Sequence, residues 1–196
     1  MIRLSHVEFS EEAANSVRDL ILSGRVGQSD VIGQFEEAFA AWVGSKYAIA
    51  VANGTLADTI ALAAMASKRP GRRNVIMPAL TFAAQVNAVL HAGLHPVFVD
   101  VLPNFLMNIN DARVNVNKET LCLFPVHLLG RVSTVPSYNS REIPVIEDAC
   151  EAMGSSFRSH KAGTWGTMGT FSFFPSHTIT TGEGGMICTN DPVLDD

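Results

Sequence analysis

The 196-residue sequence has little of what several large classes of protein require. Its three cysteines include no CxxC pair, which argues against a disulfide framework and favours buried thiols in a reducing cytoplasm. No run of basic residues extends beyond 68–73 and the net charge is −5, so neither nucleic acid nor a membrane surface is an expected partner. No stretch approaches the ~18 apolar residues of a membrane span, and the acidic N-terminal region is unlike a signal peptide. We therefore expect a cytoplasmic protein.

The chain is instead rich in short apolar runs. Hydrophobic residues make up 47% of it, which is enough for one compact domain with a sizeable core. Runs typical of strands alternate with stretches of helical periodicity, and this pattern indicates a mainly parallel α/β sheet covered by helices. The predicted strands are 48–52, 74–77, 96–100, 121–126, 144–148, 169–174 and 185–189. The predicted helices are 11–22, 31–43, 56–67 and 82–92, with Gly44 and Gly93 as stops. The intervals 104–119 and 130–142 are less regular, and the second leaves at most a shortened helix.

The residues that follow each strand are the first candidates for a site, because ligands of α/β sheets bind at the carboxyl ends of the strands. Asn53, Gly54 and Thr55 follow the first predicted strand and lead into a helix. Backbone N–H groups and a hydroxyl at such a helix start can bind an anion. An ordinary turn capped by Asn or Thr explains the same residues, so the motif is weak by itself.

Asp148 ends the fifth predicted strand, and Glu151 comes three residues later. A carboxylate in the position of Asp148 can hold the protonated ring nitrogen of a cofactor. Alternatively, Asp148 caps the next turn and Glu151 is a solvated acid of that turn. The spacing alone does not decide between these interpretations.

Other residues near strand ends allow two interpretations each. Phe82 can lie against a flat cofactor or belong to the core, and Ser172 can bind phosphate or a neighbouring backbone group. His127 is most simply a hydrogen-bonded structural residue. A metal site made of His127, Asp148 and His177 lacks any HxH or HxxxH pair, so no metal is predicted. The GEGG segment, residues 182–185, is expected to form a tight turn and not a dinucleotide-binding loop.

Taken together, five motifs resemble one known family. They are NGT, PALTFAAQVNAVLHAGLHPVFVDV, PVHLLG, PVIEDACEAMGSSF and GTFSFFPSHTITTGEGGMICTND. Their order and spacing are similar to those of the DegT/DnrJ/EryC1/StrS family, the vitamin B6-dependent sugar aminotransferases, from about Ser10 to the last residue. The resemblance implies a three-layer α/β/α fold of the fold-type I, aspartate-aminotransferase-like kind. It also implies a homodimer that acts on a nucleotide-linked 4-keto sugar in deoxysugar or polysaccharide biosynthesis.

The resemblance further implies a division of the chain and a role for each candidate residue. Residues 1–30 would be an N-terminal arm and helix and 31–196 the cofactor-binding large domain, with the C-terminal small domain absent. The cofactor would be pyridoxamine 5'-phosphate or pyridoxal 5'-phosphate. Carried over by motif position, its phosphate would be held by Gly54, Thr55 and Ser172. Phe82 would stack on the pyridine ring, Asp148 would pair with the ring nitrogen, and Glu151 would lie near the ring hydroxyl.

His177 occupies the place in SFFPSH where the family has its Schiff-base lysine. Imidazole cannot form the imine that a primary amine forms with pyridoxal phosphate, but it carries protons well near neutral pH. The sugar 3-dehydratases of this family, which use pyridoxamine phosphate, also have histidine here. The resemblance therefore implies 3-dehydration with His177 as the base. A sugar aminotransferase homologue and a noncatalytic truncated family member are the alternatives.

Overall fold

The computed structural model describes residues 7–134 and 143–194. Within these ranges the helices are α1 (Glu11–Leu22), α2 (Asp30–Val43), α3 (Gly54–Lys68), α4 (Ala83–His91) and α5 (Ile109–Asn115). The strands are β1 (Tyr47–Val51), β2 (Asn74–Pro78), β3 (His95–Val99), β4 (Thr120–Leu123), β5 (Ile146–Asp148), β6 (Ser156–Phe157), β7 (His160–Lys161), β8 (Met168–Ser172) and β9 (Gly185–Thr189). A 3-10 turn, Leu128–Gly130, follows β4. No helix in these ranges is long and apolar enough to cross a membrane.

Seven strands form one twisted layer in the order β3-β2-β4-β5-β8-β9-β1. The first three strands form a parallel ladder, and the last four form a mixed one in which only the β5–β8 pair is parallel. Two parallel bridges, Leu123–Val145 and Val126–Asp148, join the ladders. Only β9 runs against its neighbours. The prediction of a mainly parallel α/β sheet is confirmed, and the carboxyl ends of the parallel strands lie along one edge.

Helices cover both faces of this sheet. Neighbouring residues of a strand point to opposite faces, and here both sets of side chains are apolar and buried. Val75 and Met77 pack in the apolar cluster of α3 and α4, whereas Ile76 between them packs with Ala112 of α5. Phe39 of α2 packs on the same side as α5, against strands β8 and β9. These buried side chains form the three layers that the sequence predicts.

The predicted elements agree closely with the observed ones, with a few differences. Helix α1 has the predicted bounds, and Gly44 ends α2 with a left-handed backbone. Strand β4 ends at Leu123, three residues early, because Pro125 has no N–H group to continue the ladder. Helix α5 was not predicted, since it is short and polar and is stabilised mainly by the Asn108 cap. The prediction for residues 135–142, like that for the first six residues of the arm, lies outside the described residues.

We predict that Gly169→Ala destabilises the fold. A Cβ atom at this position in β8 would lie 2.1 Å from the carbonyl oxygen of Gly163, so the loop that carries Gly163 would have to move. The expected loss in the free energy of unfolding is about 1–3 kcal/mol. Urea denaturation measures it, with Gly33→Ala as the matched control in open space on α2. Equal stabilities of the two variants would contradict the close packing of this loop on β8.

Candidate active site

A cavity of about 420 Å³ opens at the carboxyl edge of the sheet, a size typical of small-molecule sites. All of the site residues predicted from the sequence line it: Gly54, Thr55, Phe82, Asp148, Glu151, Ser172 and His177. Asp148 and Ser172 are the last residues of β5 and β8, and the others lie in the segments that follow β1, β2, β5 and β8. The other lining residues are Asn53, Asp58, Ala84, Gln85, Val126, Leu128, Cys150, Phe174, Ser176 and Glu183.

One corner of the cavity is suited to an anion. Helix α3 begins there, and the Asn53 side chain accepts the N–H group of Leu56 at 2.9 Å. The N–H groups of Gly54 and Thr55 have no carbonyl partner within the helix, so they are available to a ligand. A Cβ atom at Gly54 would lie 2.8 Å from that of Ser172, so only glycine lets the helix start approach β8 this closely. Two N–H groups and the Ser172 hydroxyl thus converge with the positive end of a helix.

Asp148 lies at the end of β5 and is 4% exposed. Its Oδ1 accepts the N–H group of Cys150 at 3.1 Å, so the capping contact considered above is present. The residue lines the cavity as well, so capping is not its only contact. Burial raises the pKa of Asp148, and its hydrogen bonds with Cys150 oppose the rise. A cationic ligand group in the cavity would relieve this burial of charge.

Glu151 and Phe82 do not follow the simpler alternatives. The Glu151 carboxylate accepts the N–H group of Leu129 at 2.8 Å and so anchors the 3-10 turn beside the cavity. Leu129 has a left-handed backbone, with φ of 51°. Glu151 is half-buried and has this backbone contact, so it does more than a solvated first-turn acid would. The Phe82 ring is 72% exposed, which excludes a core role within the described chain and leaves its face open to the cavity.

His177 stands on a turn that follows β8. Its N–H group donates to the Phe174 carbonyl at 2.9 Å, and the two rings lie 6.5 Å apart. Neither ring nitrogen has a hydrogen-bond partner within residues 7–134 and 143–194. No lysine of the described chain lines the cavity. The His177 imidazole is thus half-buried and available to a ligand.

His127 lies behind the cavity and is structural, as the sequence predicts. It is completely buried, and its Nε2 lies 2.7 Å from the Glu147 carboxylate. Because Nδ1 accepts the N–H group of Ser133 at 3.0 Å, the ring proton lies on Nε2 and is donated to Glu147. His127 does not line the cavity with Asp148 and His177, and the described residues contain no metal-ligand cluster.

Glu147 and Asp58 are buried acids that the sequence analysis missed. Glu147 accepts hydrogen bonds from His127 and from three backbone N–H groups, those of Gly163, Trp165 and Gly166. It thereby fixes the loop before β8 beside the strand that ends in Asp148. Asp58 lines the cavity and bonds to Thr170. An acid inside the apolar run PVIED is a signal that could have identified Glu147.

The cysteine prediction needs one correction. Cys122 and Cys188 are buried, and burial raises the pKa of each thiol to about 12. Cys150 is only half-buried, because its thiol lies at the cavity wall beside Gly54. Burial of the sulfur also raises the pKa of Cys150 well above that of a free thiol, so it is a neutral group of the wall.

Comparison with known proteins identifies the family. The profile of the DegT/DnrJ/EryC1/StrS aminotransferase family matches residues 7–196. The chain belongs to this family. Its solved relatives in the family include Escherichia coli GDP-4-keto-6-deoxy-D-mannose-3-dehydratase with bound hydrated PLP. That structure has a TM-score of 0.91 and 31% identity, and the match covers 98% of this chain and 52% of the other.

Curated relatives carry out two different reactions according to their names. GDP-perosamine synthase of Caulobacter vibrioides is 43% identical over 169 residues, which are 83% of this chain and 45% of the relative. GDP-4-keto-6-deoxy-D-mannose 3-dehydratase of Escherichia coli O55:H7 is 35% identical over 185 residues, 90% of this chain and 48% of the relative. The chain spans about half the length of these curated family members.

We predict that Glu147→Gln strongly destabilises the protein. The amide NH2 would face N–H donors that now bind a carboxylate, and the buried pair with His127 would be broken. The expected loss is about 3–5 kcal/mol of unfolding free energy, measured by urea denaturation. Glu37→Gln, on the exposed side of α2, is the control and should change stability little. A loss below about 1 kcal/mol at Glu147 would contradict its role as the anchor of the loop.

Proposed function

We propose that this chain is the cofactor-binding domain of a vitamin B6-dependent enzyme that acts on a nucleotide-linked 4-keto sugar. The observation that carries the proposal is one cavity that combines an anion-binding helix start, the buried Asp148 carboxyl and a free His177 imidazole. The names of the relatives, which include a sugar aminotransferase-type synthase and a sugar 3-dehydratase, support the substrate class. We also propose that residues 31–196 form the large domain of such an enzyme and that it pairs as a homodimer.

The cavity fits pyridoxamine 5'-phosphate or pyridoxal 5'-phosphate. Gly54, Thr55 and Ser172 would hold the phosphate, because their N–H and hydroxyl groups converge at the start of α3. Phe82 presents an exposed ring that can lie against the flat pyridine. Asp148 would face the ring nitrogen, and when bound, such a cofactor supplies an electron sink.

Asp148 and Glu151 would contribute differently to holding the cofactor ring. A buried carboxylate at Asp148 would favour a proton on the ring nitrogen of a bound cofactor, since the cation and the anion stabilise each other away from water. Glu151 holds the turn at Leu129 and lies at the cavity wall, where it would come near the ring hydroxyl. The two acids, both from the segment at the end of β5, would therefore meet different parts of the ring.

His177 is the residue that we assign to proton transfer. An imidazole without an internal partner would take and return a proton at the methylene carbon of pyridoxamine phosphate, and the bound cofactor would supply the electron sink that loss of a sugar C3 hydroxyl requires. Of the reactions known among the relatives, this one is 3-dehydration, and it needs no lysine in the cavity. The alternative of an aminotransferase is favoured by the 43% identity to GDP-perosamine synthase. The third hypothesis is a noncatalytic family member, in which the cavity binds the cofactor without turnover.

We predict that Asp148→Asn weakens cofactor binding while it stabilises the cofactor-free protein. The folded-state pKa of Asp148 is raised, so wild-type stability falls as pH increases from the unfolded-chain pKa through the folded one, and Asn removes this loss. Affinity for pyridoxamine phosphate should fall by about tenfold or more, since a charge-assisted bond is lost. Calorimetric titration and thermal unfolding measure the two effects.

The matched control for this prediction is Asp191→Asn. Asp191 also accepts an N–H group two residues ahead, that of Val193 at 2.9 Å, but it lies outside the cavity. It should leave cofactor affinity unchanged. Equal affinities of the wild-type protein and Asp148→Asn would show that Asp148 is only a cap.

We predict that His177→Asn keeps the cofactor but loses proton exchange at its methylene carbon. The phosphate and ring contacts come from other residues, whereas a positioned general base contributes about 100-fold or more. NMR of bound pyridoxamine phosphate in deuterated water measures the exchange. His95→Asn, on an exposed strand position outside the cavity, is the control.

A second variant of His177 tests whether the side chain at this position faces the cofactor. Borohydride added with pyridoxal phosphate should attach no pyridoxyl group to any wild-type lysine, and mass spectrometry detects such a group. His177→Lys returns an amine to the cavity and should acquire a reducible covalent link to the cofactor. If this variant binds pyridoxal phosphate without the link, His177 does not face the cofactor. The noncatalytic alternative would then replace the proposal that His177 is the catalytic base.

A further inference from the structure

A second buried carboxyl group borders the cavity near Asp148. Asp58 lies one turn into α3, is 2% exposed and lines the cavity. Its Oδ1 lies 2.6 Å from the hydroxyl oxygen of Thr170 in β8. Thr170 is the residue opposite Asp148 in the parallel β5–β8 ladder. Thr170 therefore connects Asp58 to the pair of strands that carries Asp148.

The hydrogen bonds of Thr170 bear on the protonation of Asp58. The Thr170 hydroxyl oxygen also lies 3.3 Å from the backbone carbonyl of Glu147. A hydroxyl has one proton, and it cannot be fully donated to an Asp58 carboxylate and to this carbonyl together. A protonated Asp58 can instead donate to Thr170, whose own proton is then free for the carbonyl. Both contacts are then hydrogen bonds with a proper donor.

The surroundings of Asp58 also disfavour a second negative charge. Its titratable neighbours are Asp148 and Cys150 at the end of β5. The other acids of the cavity wall are Glu151 and Glu183, and Cys122 of β4 packs in the apolar cluster beneath α3. No Lys or Arg of the described residues lines the cavity, and His177 is its one imidazole there. Burial first, and then repulsion from Asp148, raise the pKa of Asp58 well above that of a free aspartate, against a smaller opposing effect of Thr170.

We propose that Asp58 is a neutral carboxylic acid in the folded protein, that it donates its proton to Thr170, and that the negative charge of this pair of acids rests on Asp148. Asp58 is then a positioning residue, which acts on a ligand through Thr170 and Asp148. The consequence for a cationic ring nitrogen rests on the proposed function: one carboxylate, and not two, would face it. The protonation of Asp58 itself does not depend on any cofactor.

The first experiment follows stability against pH in the cofactor-free, 196-residue chain. Below the unfolded-chain pKa both states of the wild-type protein hold the Asp58 proton. Above it only the folded state does, so wild-type stability falls relative to Asp58→Asn until the folded pKa is passed. The ratio of the two unfolding constants should change by about tenfold per pH unit in that window. Urea denaturation across acidic to alkaline pH measures it.

Asp19→Asn, at an exposed position of α1, is the control and should give a ratio that hardly changes with pH. A flat ratio for Asp58→Asn, or one that changes in the opposite direction, would overturn the proposal. So would failure of Asp58→Asn to fold, because Asn has the shape and the neutrality that the proposal assigns to the native side chain.

The second experiment separates the two acids by rescue. Asp58→Ala removes the link to Thr170 and should weaken binding of pyridoxamine phosphate by at least about threefold. Asp58→Asn should restore the binding, since an amide can donate to Thr170. At position 148, Asn should not restore what Ala removes, because a charge is needed there. The reverse pattern would overturn the assignment. If the wild-type protein binds no cofactor, the proposed function fails, while the pH experiment still decides the state of Asp58.

Discussion

The buried carboxylate of Glu147 is the interaction on which the site depends. It accepts hydrogen bonds from Nε2–H of His127 and from the N–H groups of three residues in the loop that precedes β8. Burial of a charge in an apolar sheet is costly, and these donors take the place of water around it. Because Glu147 is next to Asp148 in β5, the same bonds hold the backbone of Asp148 between β8 and the bridge to Val126. These bonds tie the floor of the cavity to the loop before β8.

Neighbouring acids in this region serve different purposes because their surroundings differ. Glu147 points away from the cavity and is fully hydrogen-bonded, so its charge is compensated within the chain. Asp148 points into the cavity with one local N–H partner and is suited to a ligand cation. Asp58 has the Thr170 hydroxyl as its hydrogen-bond partner and lies near the acid Asp148, and both its burial and this acid favour its neutral form. The local donors, and not the residue type, decide what each carboxyl does.

The sequence predicts the residues that line the cavity better than the buried hydrogen bonds that hold them. Strand-end logic and the family motifs identified residues such as Gly54 and Asp148, because each follows a short apolar run. The partner of Asp58 lies 112 residues away, and the loop partners of Glu147 lie 16 to 19 residues beyond it. No periodicity links such positions. Helix α5 was missed for a related reason, since its stability comes from a cap and one buried alanine and not from a long apolar stripe.

The antiparallel strand β9 gives the segment around His177 an unusual independence. The two ends of residues 173–184 are joined by the hydrogen bond from the Phe173 N–H group to the Gly184 carbonyl at 2.9 Å, and the Thr181 N–H group bonds back to the Phe173 carbonyl at 3.1 Å. Everything between these ends is a closed loop on the sheet edge, so a new side chain at position 177 need not alter the register of any strand. A replacement at position 177 can therefore change the chemical character of the cavity wall while the sheet stays as it is.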